Sequence, residues 1–455
     1  MIKRYVSKLP SLAHGPFRRT VSLVVAIAAV GILLAACSAK SSSSATAATS
    51  KNFGENATGT VHFWARAATS TVARAMVKEF NASHPKLKVI LTENQPNEAV
   101  TQLATALRAG SPPDLIGLND INMPIFTRKA QFVDLTTQVN ALPYESALSP
   151  GHLNLAKYDG KDYGVPYLAD LSMLWYNKEL FKKAGLDPNQ VPANFADMLK
   201  DARAVQKVGG SGVYGFSFAG DCQGCLGFTM LPAVWATDTH LIEGSIGSET
   251  ANITGNKPLE QLLTLYKQVW QEHLAPKADQ TQNGSTWGKD FLAGDIGVFP
   301  GGYAVVVNNL KGAALKRSDI GAAPLPGPDG GYSTFDGGDD FGIPVGAKNA
   351  SGAWEFVKFV LERHQQLEYP DLGFTPVRTD VLSPEYLKKH PFDAVVLRAL
   401  KHGYAPPTTA YNSLFNQPNG PWFAMFRKAV YSGDVSTAIK EAQPGFTEVL
   451  KQLGS

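Results

Sequence analysis

Cys222 and Cys225, in the run Asp-Cys-Gln-Gly-Cys, are the two residues of this chain spaced for covalent chemistry with each other. A C-x-x-C pair can be a disulfide, a redox motif or half of a zinc site. Zinc needs further ligands, and none stand nearby in the sequence. A redox motif belongs at a strand-to-helix junction, whereas two close cysteines in an exported chain favour a small disulfide. Other catalytic templates fail. Gly215–Ala219 reads GFSFA, which breaks G-x-S-x-G at its last position, and neither H-E-x-x-H nor a P-loop occurs. Gly210–Gly215 matches G-x-G-x-x-G but precedes the strand-like YGFSF instead of opening a helix, so it lacks the context for phosphate. Asp339 and Asp340 could serve as glycosidase carboxylates. Adjacent acids in FDGGDDFG read more simply as turn residues. The nine histidines are scattered, and no metal or other cofactor is expected.

The third cysteine, Cys37, ends a different pattern. Lys3, Arg4, Lys8, Arg18 and Arg19 precede the apolar run Val21–Leu34. At 14 residues this run is short of the about 20 needed to span a bilayer. A basic flank, a short apolar core and small residues at its end describe an export signal. Leu34-Ala35-Ala36-Cys37 resembles the bacterial lipobox, which implies cleavage after residue 36 and a lipid on the Cys37 sulfur. Arg18-Arg19 hints at twin-arginine export, and the route stays open. The leader holds five basic residues and no acid, so the remainder carries 37 basic against 39 acidic side chains. That balance leaves no basic stripe for nucleic acid.

These residues must be positioned by folded elements. Ser38 to about Gly59 is rich in Ser, Ala, Thr and Asn and reads as a flexible tether, residues 37–58. Folded structure is expected from GTVHFWA, where Val61 and Phe63 alternate with polar neighbours. STVARAMVKEF sets Val72, Met76 and Phe80 at helical spacing. LKVILTE alternates as a strand. NEAVTQLATALRAG has Asn97 as N-cap and Gly110 as stop, and DLIGL is a short buried strand. NKELFKKAGL reads as a helix stopped at Gly185, and NFADMLKDARAVQKVGG as one capped by Asn194 with Phe195, Leu199, Ala202 and Val205 inward. Strands and helices in alternation argue an α/β fold with a mainly parallel sheet.

VHFWA, MVKEFNASHPKLKV, LRAGSPPDLIGL, YGVPY, LWYNKELFKKAGLDP, GDIGVFPGGY, IGAAPLPGP and GAWEFVKFVL resemble, in order, the carbohydrate-binding type of extracellular solute-binding protein. These are the capture subunits of ATP-binding-cassette (ABC) importers, the group that includes maltodextrin-binding proteins. The resemblance implies two discontinuous lobes flanking a cleft, a type II periplasmic-binding-protein fold. It puts 59–169 and 324–373 in lobe 1 and 170–323 and 374–455 in lobe 2, with crossings near Ala169, Pro324 and Gly373. It also implies a monomer without enzymatic activity, anchored by its lipid alone, that passes a saccharide to a membrane permease. A non-sugar solute (a glycerophosphate, polyol or small peptide) or a surface glycan hydrolase are the alternatives.

A sugar offers apolar C–H faces and a rim of hydroxyls, so its cleft wants flat aromatics together with Asp, Asn or Arg. In α/β sheets such groups stand in loops after strand ends. The candidates are Trp64 and Arg66 after the first strand, and Asn119 and Asp120 after DLIGL. Asp170 lies six residues before Tyr176, where maltodextrin-binding proteins place a ligand-binding acid. Tyr303 follows Gly301-Gly302, where that pattern has Gly-Pro-Trp with a stacking tryptophan. Trp235 and Trp287 are candidates for the second lobe, and Gly337, Gly338 and Asp339 resemble a glycine-rich ligand loop. Arg378 stands near the third crossing, with an inter-lobe salt bridge as its other reading. Trp422 and Phe423 fall where the family has a late aromatic contact. Trp175 and Tyr176 read as core.

Overall fold

A computed structural model describes residues 53–94 and 98–454. The leader, Cys37 and the expected cap Asn97 lie outside the described residues. No helix among the described residues is long and apolar enough to cross a membrane.

Seven strands form the path of one sheet: β1 (Gly59–Arg66), β2 (Leu87–Asn94), β3 (Leu115–Asn119), β4 (Val165–Asn177), β5 (Tyr214–Phe216), β6 (Ile296–Gly302) and β7 (Tyr332–Gly342). Their spatial order is β2-β1-β3-β7-β4-β6-β5. β1 runs parallel to β2 and β3, and β6 parallel to β5. β7 is antiparallel to both β3 and β4, and β4 is antiparallel to β6. The sheet is therefore mixed, which corrects the mainly parallel expectation. The helical crossovers serve each end, and the long returning strand β7 joins the two ends. FDGGDDFG, expected as a turn, is most of that strand. Gly337 and Gly338 lie opposite Asp170 and Ala169, and the register shifts between Asp339 and Asp340.

Local signals placed the helices well. Ser70–Ser83 buries Val72, Met76 and Phe80. In Phe195–Gly209 the Asn194 side chain accepts from Asp197 N at 2.9 Å, and the expected inward residues are buried. Gly185, at φ +74°, ends the helix Lys178–Lys183 in the left-handed region that glycine tolerates.

One core gathers β4 residues Leu174 and Tyr176 with Phe216, the helices Gln223–Trp235 and Lys257–Gln271, and the C-terminal segment through Trp422, Phe426 and Phe446. Another gathers Val61, Phe63, Val72, Phe80, Tyr167, Trp175 and Phe341, and extends to Phe299, Tyr303 and Phe392. A smaller cluster packs Leu103, Ile116, Leu118 and Phe126. The fold begins earlier than the expected tether end. Gly54 N donates to Ser351 Oγ at 2.8 Å, Ala57 N donates to Glu355 Oε2 at 2.9 Å, and Phe53 packs against the second core.

Candidate functional site

A cavity of about 880 Å³ opens where the ends of β1 and β3 and the middles of β4 and β7 meet the helix Gln223–Trp235. This volume is in the upper part of the usual small-molecule range of about 300–1,000 Å³. Of the candidates from the sequence, Arg66, Asn119, Asp120, Asp170, Trp287 and Gly338 line it. The ends of β1 and β3 and the middles of β4 and β7 bring these residues together from across the sequence, and the β7 register lays Asp339 against Asn119 and Gly337 against Asp170.

Asp339 stands one layer behind the wall, fully buried. It forms a salt bridge with Arg66 and accepts from the Thr69 hydroxyl at 2.7 Å. Among the described residues Arg66 is the one cationic side chain on the cavity wall, and this carboxylate neutralises it. Asp170 Oδ1 accepts from Ala304 N at 2.9 Å. Burial pushes its carboxyl up to about 6, against the pull of that N–H and of Arg66. Asp120 is buried, and Oδ1 accepts from Ile121 N at 2.8 Å. Burial drives its carboxyl well above the ordinary range, against the opposing charge of His152. Three buried polar atoms of wall residues have no hydrogen-bond partner among the described residues: Asp120 Oδ2, Asn122 Oδ1 and Trp287 Nε1. Asp120 Oδ2 faces His152 Nε2 at 3.9 Å, so Asn122 Oδ1 and Trp287 Nε1 remain, one acceptor and one donor, which suits a ligand that both donates and accepts, as a hydroxyl does.

Other wall residues were missed at the sequence level. Gln223, Asn308, Asn309, Asn412, Asn416 and Gln417 make much of the far wall from amides, and Phe228, Phe335 and Tyr411 add aromatic surface. These amides lie in loops and helix starts that carry no motif. Cys225 also lines the cavity and is disulfide-bonded to Cys222.

Several expected contacts are placed elsewhere, which corrects their reading. Tyr303 is 1% exposed, and its hydroxyl donates to Asp393 Oδ1 at 2.6 Å, so its ring belongs to the core while its neighbours Ala304 and Val305 face the cavity. Gly302 is buried beside it. A Cβ there would stand 3.3 Å from Phe228 Cε1. Trp64 points into the small cluster under the helix Ala99–Arg108. Trp235 packs on Phe335 and Tyr404, away from the large cavity. Trp422 and Phe423 are buried in the first core. Arg378 is 7% exposed, pairs with Asp380, donates to Leu361 O at 2.8 Å and stacks on Tyr144. Alternation in short elements cannot distinguish a ring facing a cavity from one facing a core, which is why these aromatics were misplaced. Trp175 and Tyr176 are core, as expected.

Residues 67–367 match the family described as bacterial extracellular solute-binding protein. The multiple sugar-binding protein of Streptococcus mutans is 24% identical over 372 residues, 79% of this chain and 82% of that protein. The sn-glycerol-3-phosphate-binding periplasmic protein UgpB of Brucella abortus is 23% identical over 326 residues, 68% of this chain and 72% of that protein. Among solved structures, the sugar-binding protein MalE of Xanthomonas citri superposes with a TM-score of 0.76 at 22% identity, over 87% of this chain and 98% of that one. The mixed sheet, the cavity at the ends and middles of its strands and the match across most of the chain agree: this protein belongs to the bacterial extracellular solute-binding protein family and has its two-lobed α/β fold.

Proposed function

We propose that this protein captures a neutral saccharide in the 880 Å³ cavity and delivers it to the permease of an ABC importer. The observation that carries the reading is the wall itself: amides, aromatic surface, unpartnered hydrogen-bonding atoms and, among the described residues, a single, already neutralised cation. Phosphate recognition calls for free Arg or Lys, or for helix N-termini aimed at the anion. Arg66 is committed to Asp339, and at the start of the helix Gln223–Trp235, on the wall, the Cys225 N–H is already spent on Cys222 Sγ. A glycerophosphate, which one relative's name specifies, therefore fits less well than an uncharged sugar.

Capture needs closure, because a ligand shifts only an equilibrium whose two states it binds differently. Hinged closure around a ligand is the established behaviour of periplasmic binding proteins. The chain crossings near Ala169 and Gly373 support such a hinge here. Ala169 N donates to Thr375 O at 3.2 Å, and Thr375 N donates back to Ala169 O at 3.0 Å, so two crossings are tied side by side. In this reading the lobes are 59–169 with 324–373 and 170–323 with 374–455, and the receptor acts as a monomer with no chemistry on its ligand.

The Cys37 pattern completes the proposal. A diacylglyceryl group on Cys37 would anchor the receptor to the outer face of the cytoplasmic membrane, since two acyl chains hold where one does not. Tethering near the permease raises the effective concentration for docking. Mass spectrometry of the mature N-terminus tests the anchor, and an unmodified Cys37 removes it. A thermal-shift screen of neutral mono- and oligosaccharides beside sn-glycerol 3-phosphate tests the ligand. A saccharide at 100-fold its Kd stabilises by roughly 2.7 kcal/mol. Stabilisation by the phosphate alone, or turnover of the sugar, overturns the reading.

A further inference from the structure

Behind the cavity wall lies a charge cluster that the proposed binding mode does not use. His152, in the helix Pro150–Ala156, is fully buried, as are Asp120, Asp336 and Asp340 to within 2%. Nδ1 of His152 lies 3.0 Å from Asp340 Oδ1, and Nε2 lies 3.2 Å from Gly337 O. Asp336 Oδ1 and Asp120 Oδ2 flank Nε2 at 3.6 and 3.9 Å. Among the described residues, the polar atoms facing the two nitrogens are carboxyl and carbonyl oxygens. A neutral imidazole has one N–H and one lone pair, and here the lone pair would face a carbonyl or a carboxylate. Two N–H groups satisfy both sides. The charge they bring is the cation that three buried carboxyl groups require.

The cluster touches the cavity directly. Asp120, Gly337 and Gly338 line the cavity, and a Cβ on Gly338 would stand 2.9 Å from His152 Cε1, so the imidazole packs against the back of the wall. We infer that His152 is a positioning residue for ligand binding, a buried imidazolium that fixes the Asp120 and Gly337–Gly338 wall and balances the Asp120 charge. This rests on the reading of the cavity as the saccharide site. Burial alone pulls the imidazole down. The Asp340 hydrogen bond and the charges of Asp336, Asp340 and Asp120 outweigh it and push His152 up to about 10. Burial pushes the three carboxyls up, and His152 opposes it at each. The other polar groups facing the cluster are the Ser149 hydroxyl, which donates to Asp336 Oδ2 at 2.9 Å, the Tyr411 phenol beside Asp120, and Asp339, already paired with Arg66.

The test has two arms on the purified protein. Nitrogen-15 NMR of His152 at pH 7.5 is expected to show both ring nitrogens protonated, and a neutral tautomer overturns the inference whether or not any variant folds. Calorimetry with a saccharide from the screen then compares wild type with His152→Gln between pH 7 and 9. Wild-type affinity is expected to be nearly flat. The variant is expected to bind at least tenfold more weakly at pH 7 and to recover as pH rises, because Asp120 has lost its counter-charge. A purely structural loss would weaken binding equally at every pH, and that result, or unchanged binding, overturns the inference. Absence of saccharide binding by wild type instead overturns the saccharide reading, and the positioning role falls with it.

Discussion

The Tyr303 hydroxyl donates to Asp393 Oδ1 at 2.6 Å, and the Tyr386 hydroxyl donates to Asp393 Oδ2 at 2.5 Å. A buried carboxyl held by two phenols 83 residues apart in sequence is a structural device in the core and leaves Tyr303 no free polar atom for a sugar. Removing one phenol leaves a buried acceptor short of a partner, which costs about 1–3 kcal/mol. Tyr303→Phe should therefore lower the unfolding free energy by that amount, read by urea titration. Saccharide affinity should stay within about twofold, the scatter expected of a residue off the wall. A large affinity loss at unchanged stability would return Tyr303 to the site.

Asp170 gives opposite signs for binding and stability. Its carboxyl is pushed up to about 6 in the folded protein. The protonated form is thus favoured by folding, and the associated stability is present below the unfolded value near 4 and is lost as pH rises through about 6. Asp170→Asn should stabilise the empty protein above pH 6, by about 1 kcal/mol given its partial access to cavity water. The same change should weaken saccharide binding at pH 7.5, where an ionised Asp170 is the stronger acceptor. Wild-type affinity should fall as pH drops below about 6, and the Asn variant should lack that phase. Calorimetry at pH 5.5 and 7.5 together with thermal melts checks both signs.

How far the sequence reached follows from the range of its signals. Caps and periodicity are local, so Asn194 and Gly185 ended or began helices where expected. The direction of β7 is set by pairing with strands more than 150 residues earlier, and no local pattern in FDGGDDFG carries that. Part of the polar wall was legible because Arg66, Asn119 and Asp120 sit at the ends of β1 and β3, where α/β sheets expose their ligands, while Asp170 came from its place before the Tyr176 phrase. Of the aromatic candidates Trp287 alone lines the cavity, since a ring near a strand end serves a core as readily as a cavity. Phe228, on a helix with no strong amphipathic face, gave no signal at all.

The aromatic wall offers a prediction that separates the two kinds of ring. Trp287 is half-buried, stands edge-on to Phe299 at 5.9 Å between centroids, and keeps an unpartnered Nε1. Phe228 packs at 5.2 Å from Phe335 and faces the cavity from the helix Gln223–Trp235. Trp287→Ala or Phe228→Ala should each cost about 1–2 kcal/mol of binding, roughly five- to thirtyfold in Kd. Trp422→Phe, in the first core, should leave Kd unchanged while lowering the melting temperature. Equal binding losses at Trp422 and Trp287 would mean that the ligand lies elsewhere.

The disulfide lies between the helix that carries Phe228 and the turn before Trp287. Cys222 caps the helix that carries Phe228, accepting from Cys225 N at 3.3 Å, while Gln223, Gly224 and Cys225 line the cavity. Gly284, at φ +93°, lies against both sulfurs, where a Cβ would approach to 3.0 and 3.2 Å, and its carbonyl accepts from Trp287 N at 3.2 Å. The bridge is thus packed under the turn that presents Trp287. Because it closes so short a loop, its entropic contribution to global stability is at most about 2 kcal/mol. Its larger effect is expected at the wall. Reduction with a phosphine should weaken saccharide binding several-fold with a modest drop in melting temperature. The Cys222→Ser, Cys225→Ser double variant should match the reduced protein and ignore the reductant. Reduced and oxidised protein with the same Kd would show that the bridge serves the helix end alone and that the Trp287 turn holds its position without it.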